Sequence, residues 1–359
     1  MTRKNRADPA GIAVFGAALF LFVSVITDPG GSAECVRSTV SALYKNVIPV
    51  VFPFMVISKI ISGADLTGPL ENTVGRLFER FLRLPRESVT PFLLGAVCSF
   101  PSGAVSTAEI RKRGKLSKKD AETVAAISNN TGPAFPAAVV GGVLLGNVKT
   151  GWLIYSAEIL SALIIAFILG RKRDINITSS KGAPPARKRV SELLSDAVSS
   201  SALGCVTVVG TIVFFSLLSD RIVCVSGLSS PALKAVLDCL LEFSEGCVSA
   251  AALGGAPAAA LCAFAISFGG LSVAVQTAAA LGKAGLSARR AISAKFFQGL
   301  IAGALVYGAV FIDGRFMPSP AAEQTVLLPS TGSLFPAVCL FFVVTSLGAK
   351  IFYLIYRRR

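Results

Sequence analysis

Long apolar runs separated by short polar or basic segments dominate the chain. Runs such as 10–27 and 151–170 hold about 18 to 20 residues, which as a helix crosses the roughly 30 Å hydrocarbon layer of a bilayer. The pattern therefore predicts an all-α polytopic membrane protein. We expect 10–27 to remain as a first span instead of being a cleaved signal peptide. The predicted spans, about eight, are 10–27, 46–62, 119–147, 151–170, 196–219, 256–282, 290–312 and 333–355.

Two further apolar segments are interrupted near their centres. Residues 87–110 contain Ser-Phe-Pro-Ser-Gly at 99–103, and basic clusters flank the segment on both sides. Lys and Arg favour the cytoplasmic face, so this segment enters and leaves by one face, as a re-entrant helical hairpin does. Residues 231–254 show the same pattern, with Glu-Phe-Ser-Glu-Gly at 242–246. The sequence thus predicts two hairpins.

Two of the predicted spans are also broken. The span 119–147 contains Ser-Asn-Asn-Thr-Gly-Pro at 128–133, and the span 256–282 contains Ser-Phe-Gly-Gly-Leu-Ser at 267–272. Proline lacks a backbone donor and glycine permits non-helical angles, so several backbone groups lose their partners where no water replaces them. Such a break survives only where protein or a polar cavity satisfies it. A packing kink with a local network is the structural alternative.

The order of these parts divides the chain into five segments. An N-terminal span and external loop (1–45) precede a first repeat (46–170), a basic cytoplasmic loop (171–195), a second repeat (196–312), and an external loop with a last span (313–359). Because the first hairpin is predicted to enter from the cytoplasm and the second from outside, the repeats are inverted. Inverted repeats with broken helices are an architecture of secondary transporters.

The four interruptions bring hydroxyl, amide and carboxylate groups to the depth of the membrane. We expect these groups to bind a small polar solute, together with a coupling cation. The alternative for Glu242 and Glu245 is an exposed hairpin turn instead of a buried site. Glu158 and Lys295 are interpreted as interfacial or paired residues. The candidate binding residues are Ser99, Ser102, Asn129, Asn130, Thr131, Glu242, Ser244, Glu245, Ser267, Ser272 and Gln276.

Composition and charge fit a membrane location. Apolar residues make up 53% of the chain and charged residues 15%, with 35 Lys and Arg against 20 Asp and Glu. The basic clusters fall on the segments predicted to be cytoplasmic, which include both termini. The net charge of +15 is therefore interpreted as an orientation signal, and no nucleic-acid partner is expected. The expected partners are the lipid bilayer and the solute; a homo-oligomer is compatible with the sequence.

Catalytic chemistry has little support in the sequence. The chain has no His, and its eight Cys form no C-x-x-C pair, so neither a metal site nor a redox centre is predicted. No paired nucleophile and base stands out either. We expect no cofactor and no enzymatic activity.

Three pieces of sequence are specific in combination. They are SFPSGAVSTAEIRKRGKLS at 99–117, LLEFSEG at 240–246 and SFGGLSVAVQ at 267–276. With them, residues 45–312 resemble the sporulation integral membrane protein family of the YlbJ type, which carries the nucleoside-recognition or Gate domain. The resemblance implies a distant relation to concentrative nucleoside transporters, in which two hairpins and two broken helices form the substrate site.

Carried over by position, the resemblance assigns the first hairpin tip to 99–103 and the second to 242–244. The broken helices would contribute Asn129, Asn130, Ser267 and Ser272. Nucleoside transporters have Gln and Glu at the first tip, where this chain has Ser-Phe-Pro-Ser. The resemblance implies a role in spore formation, in the making of the cortex, in the bacterial inner membrane.

Two functions from different classes follow. The leading hypothesis is a sporulation-associated membrane protein that moves a polar solute by alternating access. The alternative is a membrane scaffold that does not transport and that recruits a sporulation partner through the basic loop 171–195 or the amphipathic segment 66–84.

Overall fold

A computed structural model describes residues 9–63, 68–171 and 189–314. These residues are helical with short connections, and no strand occurs among them. The predicted all-α fold is therefore confirmed for the described residues. The predicted span 333–355 and positions 172–188 of the basic loop lie outside the described residues.

The N-terminal helices are joined by a sharp bend. Helix α1 (Pro9–Thr27) and helix α2 (Pro29–Ala42) meet at Asp28, and the axis turns there by 111°. Pro29 starts α2 in the position where a missing donor does no harm, and the Asp28 carboxylate accepts the Gly31 N–H at 2.9 Å. A π-helical turn (Leu43–Val47) then leads into α3 (Ile48–Gly63).

Helix α4 (Gly68–Leu82) is amphipathic, as the sequence of 66–84 predicts. Phe78 is buried against the protein, whereas Leu77 is 54% and Phe81 62% exposed. Arg80 lies over the Phe81 ring, 5.8 Å from its centroid. An apolar, partly exposed face rimmed by arginines is typical of a helix that lies along a membrane surface.

Helices α5 (Val89–Cys98) and α6 (Ser102–Lys112) pack side by side and are separated by a break at 99–101. Helix α7 (Lys118–Ser128) follows and is capped at its start by the Ser117 side chain. The chain then leaves helical geometry at 129–133, forms a π-helix (Phe135–Leu144) and continues as α8 (Val148–Arg171). A π-helix next to a proline-containing break is one way in which shifted backbone groups regain partners.

Residues 189–314 contain two further interruptions of helical geometry. Glu242 separates α10 from α11, and Gly269 separates α12 from α13. The helices of this part are α9 (Val190–Ser226), α10 (Pro231–Leu241), α11 (Phe243–Ala251), α12 (Gly255–Phe268), α13 (Gly270–Gly282) and α14 (Arg289–Ile312).

Four helical stretches among the described residues are long and apolar enough to cross a membrane. They are α8, α9, the pair α12 and α13, and α14; the bent pair α1 and α2 makes a fifth if it counts as one span. Helix α9 has 37 residues, so at about 1.5 Å per residue it is longer than the hydrocarbon layer is thick. The predicted count of eight spans and the inverted repeat stay predictions.

The largest core lies where α12 packs against α8 and α14. Its buried side chains are mostly small, including Ala258, Ala259, Cys262 and Ala263 of α12. Small residues let helix backbones approach closely, which matters in a membrane because lipid tails are as apolar as the helices. This close packing fixes α14 and α8 beside the helix breaks described next.

Candidate functional site

Helix geometry is interrupted at four places where the sequence carries Pro, Gly and polar residues together. The first tip lies at 99–101 between α5 and α6, and the first break lies at 129–133 after α7. The second tip is Glu242 between α10 and α11, and the second break is Gly269 between α12 and α13. We call these four places together the four-break site.

Each tip packs directly on a break. A Cβ at Gly132 in the first break would lie 2.6 Å from the Val97 carbonyl oxygen at the first tip. A Cβ at Gly270, beside the second break, would lie 2.9 Å from the Leu241 oxygen and 3.1 Å from the Glu242 nitrogen. Only glycine permits backbones to approach this closely. The glycines of both breaks therefore serve as contact surfaces for the tips.

The two tip-and-break pairs also contact each other. The Phe243 ring meets the Phe100 ring edge-on with centroids 5.0 Å apart, and it meets the Phe135 ring at 5.2 Å. The Asn129 side-chain amide donates a hydrogen bond of 2.8 Å to the Thr277 hydroxyl of α13. The four interruptions, spread over some 170 positions, thus form one cluster in space.

A buried polar network closes the first break. Glu158 of α8 accepts hydrogen bonds from the Thr131 backbone N–H at 2.7 Å and from the Thr131 hydroxyl. Lys295 of α14 donates to the Asn130 and Gln298 side-chain oxygens, both at 3.0 Å. All five residues are at most 5% exposed. The backbone that leaves the helix here is held by side chains from two neighbouring helices.

This network corrects part of the sequence interpretation. Glu158 and Lys295, expected as interfacial or paired residues, are buried beside the first break, and neither forms a direct ion pair among the described residues. Gln298 completes the network and was not singled out. A signal existed, because Lys295 and Gln298 are spaced by three in an apolar helix and so share one face.

Glu242 occupies the second tip as a buried cap. One oxygen of its carboxylate accepts the backbone N–H groups of Ser244 and Glu245, both at 2.9 Å, and the Ser244 hydroxyl. Its other oxygen has no hydrogen-bond partner, and the residue is 1% exposed. Within the described chain, no Lys or Arg nitrogen lies within 4.0 Å of it. The alternative of an exposed turn is therefore wrong for Glu242, whereas Ser244 and Glu245 are half-buried.

Four buried polar atoms at the four-break site have no hydrogen-bond partner within the described part of the chain. They are Asn129 Oδ1, Ser267 Oγ, Ser272 Oγ and Glu242 Oε1. More than nine in ten buried polar groups in proteins are hydrogen-bonded, so four such atoms at one cluster are unusual. Each belongs to a residue that the sequence singled out.

The remaining predicted residues have local roles. The Ser102 hydroxyl donates to the Cys98 oxygen at 3.2 Å across the first tip, and Ser99 adopts a left-handed conformation with φ of 63°. Gln276 points to another helix, where its amide donates to the Thr211 hydroxyl of α9 at 2.9 Å. It joins α13 to α9, and nothing links its side chain to either tip.

A small cavity borders the site. Asn129, Thr277 and Lys295 line it together with apolar side chains of α12, α13 and α14, and its volume is about 10 Å³. That is room for about one water molecule. A molecule larger than water therefore does not fit this cavity as it stands.

Sequence comparison finds a similar sporulation protein. The sporulation integral membrane protein YlbJ of Bacillus subtilis (strain 168) is 29% identical over 224 residues, which cover 55% of this chain and 53% of YlbJ. The chain therefore spans about half the length of that relative in the alignment. No protein-family model and no solved structure matches the chain. The similarity to an integral membrane protein and the apolar helices together support a location in the membrane.

Proposed function

We propose that the protein moves a small polar solute across the bacterial membrane by alternating access, during spore formation. The observation that carries the proposal is the four-break site, where polar atoms without partners are buried at interrupted helices. Interrupted helices at membrane depth are costly and occur where they line a binding site or pathway. The role in sporulation, and within it in cortex formation, is proposed from the similarity to YlbJ.

Charge at the site favours a solute that donates hydrogen bonds, or a coupling cation. The charges of Glu158 and Lys295 are opposite and belong to one network, so they compensate each other. Glu242 then remains as a buried carboxylate without a cationic partner in the described chain. Its unpartnered oxygen and Asn129 Oδ1 are both acceptors. A cation, or a solute rich in hydroxyl or amino groups, supplies what these acceptors lack.

Contacts between the tips and breaks suit a moving part. The second tip contacts the first tip and the first break through the edges of aromatic rings, those of Phe243, Phe100 and Phe135. Such contacts separate without leaving polar groups unpaired. By contrast, the first break is held to α8 and α14 by hydrogen bonds of Thr131 and Asn130. We propose that the second tip moves relative to this fixed part to admit the solute.

Ligand-induced thermal stabilisation of the purified full-length protein tests the proposal. A ligand at 100 times its dissociation constant stabilises the folded state by about 2.7 kcal/mol. Polar metabolites, amines and monovalent salts are screened against wild type, Glu242→Gln and the surface control Glu34→Gln, whose carboxylate pairs with Arg37 in solvent. We expect a compound that stabilises wild type and Glu34→Gln but not Glu242→Gln. An equal shift in all three proteins contradicts the assignment of Glu242.

Complementation of a sporulation-defective strain separates transport from the scaffold function. If the protein transports, Glu242→Gln and Asn129→Ala impair sporulation while the protein remains in the membrane. If it is a scaffold, both variants sporulate normally, and neutralising the basic loop abolishes sporulation. The loop residues to be neutralised are Arg171, Lys172, Arg173, Arg187, Lys188 and Arg189.

A further inference from the structure

Lys295 is a buried ammonium group held by neutral oxygens. Its Nζ lies 3.0 Å from Asn130 Oδ1 and 3.0 Å from Gln298 Oε1, and the residue is 5% exposed. Among the described residues no carboxylate oxygen lies within 4.0 Å of this nitrogen. Oxygen atoms of amides and carbonyls are also the ligands that hard metal cations prefer.

Hydrogen bonds donated by the side-chain nitrogens of Asn130 and Gln298 fix the direction of the two amide oxygens. Asn130 Nδ2 donates to the Ile127 carbonyl at 2.9 Å, so its oxygen points away from that helix end. Gln298 Nε2 donates to Asn130 Oδ1 and to the Glu158 carbonyl, both at 3.0 Å. Neither amide can turn over without losing these bonds. The two oxygens therefore converge on the position of the ammonium group whether or not a cation is there.

A negative charge next to this position needs compensation. The Glu158 carboxylate is bound to Thr131, the residue after Asn130, and is 0% exposed. A lone ionised carboxylate in a water-poor interior is strongly unfavourable, so Glu158 stays ionised only with a positive charge close by. At the second break, the hydroxyls of Ser267 and Ser272 accept no hydrogen bond from an ammonium group of the described residues.

We propose that the Lys295 ammonium is the built-in cation of the first break, in the place where a free monovalent metal cation would otherwise bind. In the wild-type protein this position needs no ion from solution. Removing the ammonium by Lys295→Met opens it to Na⁺ or K⁺. The inference depends on the contacts at the first break and does not require that the protein transports a solute.

Space and ligands for the metal cation exist in the variant. The methionine side chain is one atom shorter than that of lysine, so Lys295→Met vacates the ammonium position and leaves the remaining stem. The cavity of about 10 Å³ borders the same position, and Asn129 lines it. The Oδ1 atom of Asn129 has no hydrogen-bond partner within the described chain, so this residue offers a further amide oxygen beside the cavity.

Cation-dependent thermal stability of the purified full-length protein tests the proposal. All proteins carry Glu242→Gln, so that a cation bound at the second tip does not contribute. Chloride salts of choline, Na⁺ and K⁺ are exchanged at constant ionic strength. Three proteins are compared: the Glu242→Gln protein that keeps Lys295, the same protein with Lys295→Met, and a control with Lys283→Met. The control removes an exposed ammonium group. Lys295→Met should melt lowest in choline and gain about 3 °C at ten times the dissociation constant of Na⁺ or K⁺.

For each of the other two proteins, the melting temperature should be the same in all three salts. A double variant, Lys295→Met with Glu158→Gln, should be more stable in choline than Lys295→Met and insensitive to the cation, because the uncompensated charge is gone. The proposal is overturned if Lys295→Met folds but shows no cation dependence, or if it fails to fold in every salt. A gain that persists in the double variant overturns the role of Glu158. No solute is added, so the outcome is independent of the solute screen.

Discussion

Close packing of the first hairpin on the end of α7 yields a quantitative prediction. The Ser128 carbonyl oxygen lies in a slot between two glycines, Gly95 of α5 and Gly103 of α6. A Cβ on Gly103 would lie 1.7 Å from this oxygen, whereas real Cβ atoms essentially never approach a heavy atom closer than 3.0 Å. Gly103→Ala therefore forces the backbones apart by at least 3.0 − 1.7 = 1.3 Å.

The expected cost is high because the neighbour is backbone and cannot rotate away. Overpacking a well-packed core typically costs 1–3 kcal/mol, so we expect Gly103→Ala to lower the free energy of unfolding by about 3 kcal/mol. Gly210→Ala in α9 is the matched control, since no atom lies within 4 Å of its Cβ position. Alanine is the better helix former by about 0.5–1 kcal/mol, so the control should gain stability.

Thermal unfolding in detergent, followed with a thiol-reactive fluorescent dye, measures both variants. The dye reports unfolding because five cysteines are buried in the folded protein: Cys98, Cys205, Cys239, Cys247 and Cys262. At roughly 2 °C per kcal/mol, Gly103→Ala should melt about 6 °C lower than wild type and Gly210→Ala slightly higher. If the two variants shift Tm equally, the slot between α5 and α6 does not hold the Ser128 carbonyl as described.

Two further predictions concern the bend at Asp28 and the aromatic contact. The pKa of Asp28 is lowered by the Gly31 backbone N–H and by the Arg221 guanidinium, whose nitrogen lies 2.6 Å from the carboxylate. The ionised carboxylate therefore stabilises the folded protein above the unfolded pKa of about 3.9. This contribution disappears as pH falls through the lower folded pKa. Asp28→Asn should therefore melt below wild type near neutral pH, with the gap closing in acid; a constant gap from pH 7 to pH 3 contradicts this. Phe243→Ala removes the ring that contacts Phe100 and Phe135, and should cost about 3 kcal/mol by the same melting assay, against less than about 1.5 kcal/mol for Phe243→Leu. Equal losses would contradict this prediction, because leucine keeps most of the apolar volume that alanine removes.

Local chemistry in the chain was sufficient to predict where helices stop. Pro101 and Pro133 lack a backbone donor, and Gly269 adopts a left-handed conformation with φ of 84°. The structure has helix ends at 98, 128, 241 and 268, within or beside the predicted interruptions. These signals act over four or five residues, so they can be recognised in the sequence without knowledge of the rest of the fold. The number of membrane spans is harder to predict from the sequence, because short apolar helices and broken helices do not meet a simple length criterion.

Partners at the four-break site depend on contacts between distant parts of the chain. Asn129 bonds to Thr277, 148 positions away, and Asn130 to Lys295, 165 positions away. No local pattern contains these pairings. The sequence interpretation therefore singled out Asn129, Asn130 and Glu242 as binding residues but interpreted Lys295 and Glu158 as interfacial or paired residues.

Apolar periodicity and the positions of proline and glycine determine an all-helical membrane protein with interrupted helices, because hydrophobicity and backbone geometry are properties of short segments. Only the tertiary structure shows that the four interruptions meet. It also shows that Glu158 and Lys295 belong to one network, while Glu242 has no cationic partner among the residues that the structure describes. Charge compensation in a water-poor interior depends on distances of a few ångströms between helices. Those distances follow from how glycine and alanine surfaces pack, which the linear order of residues does not contain.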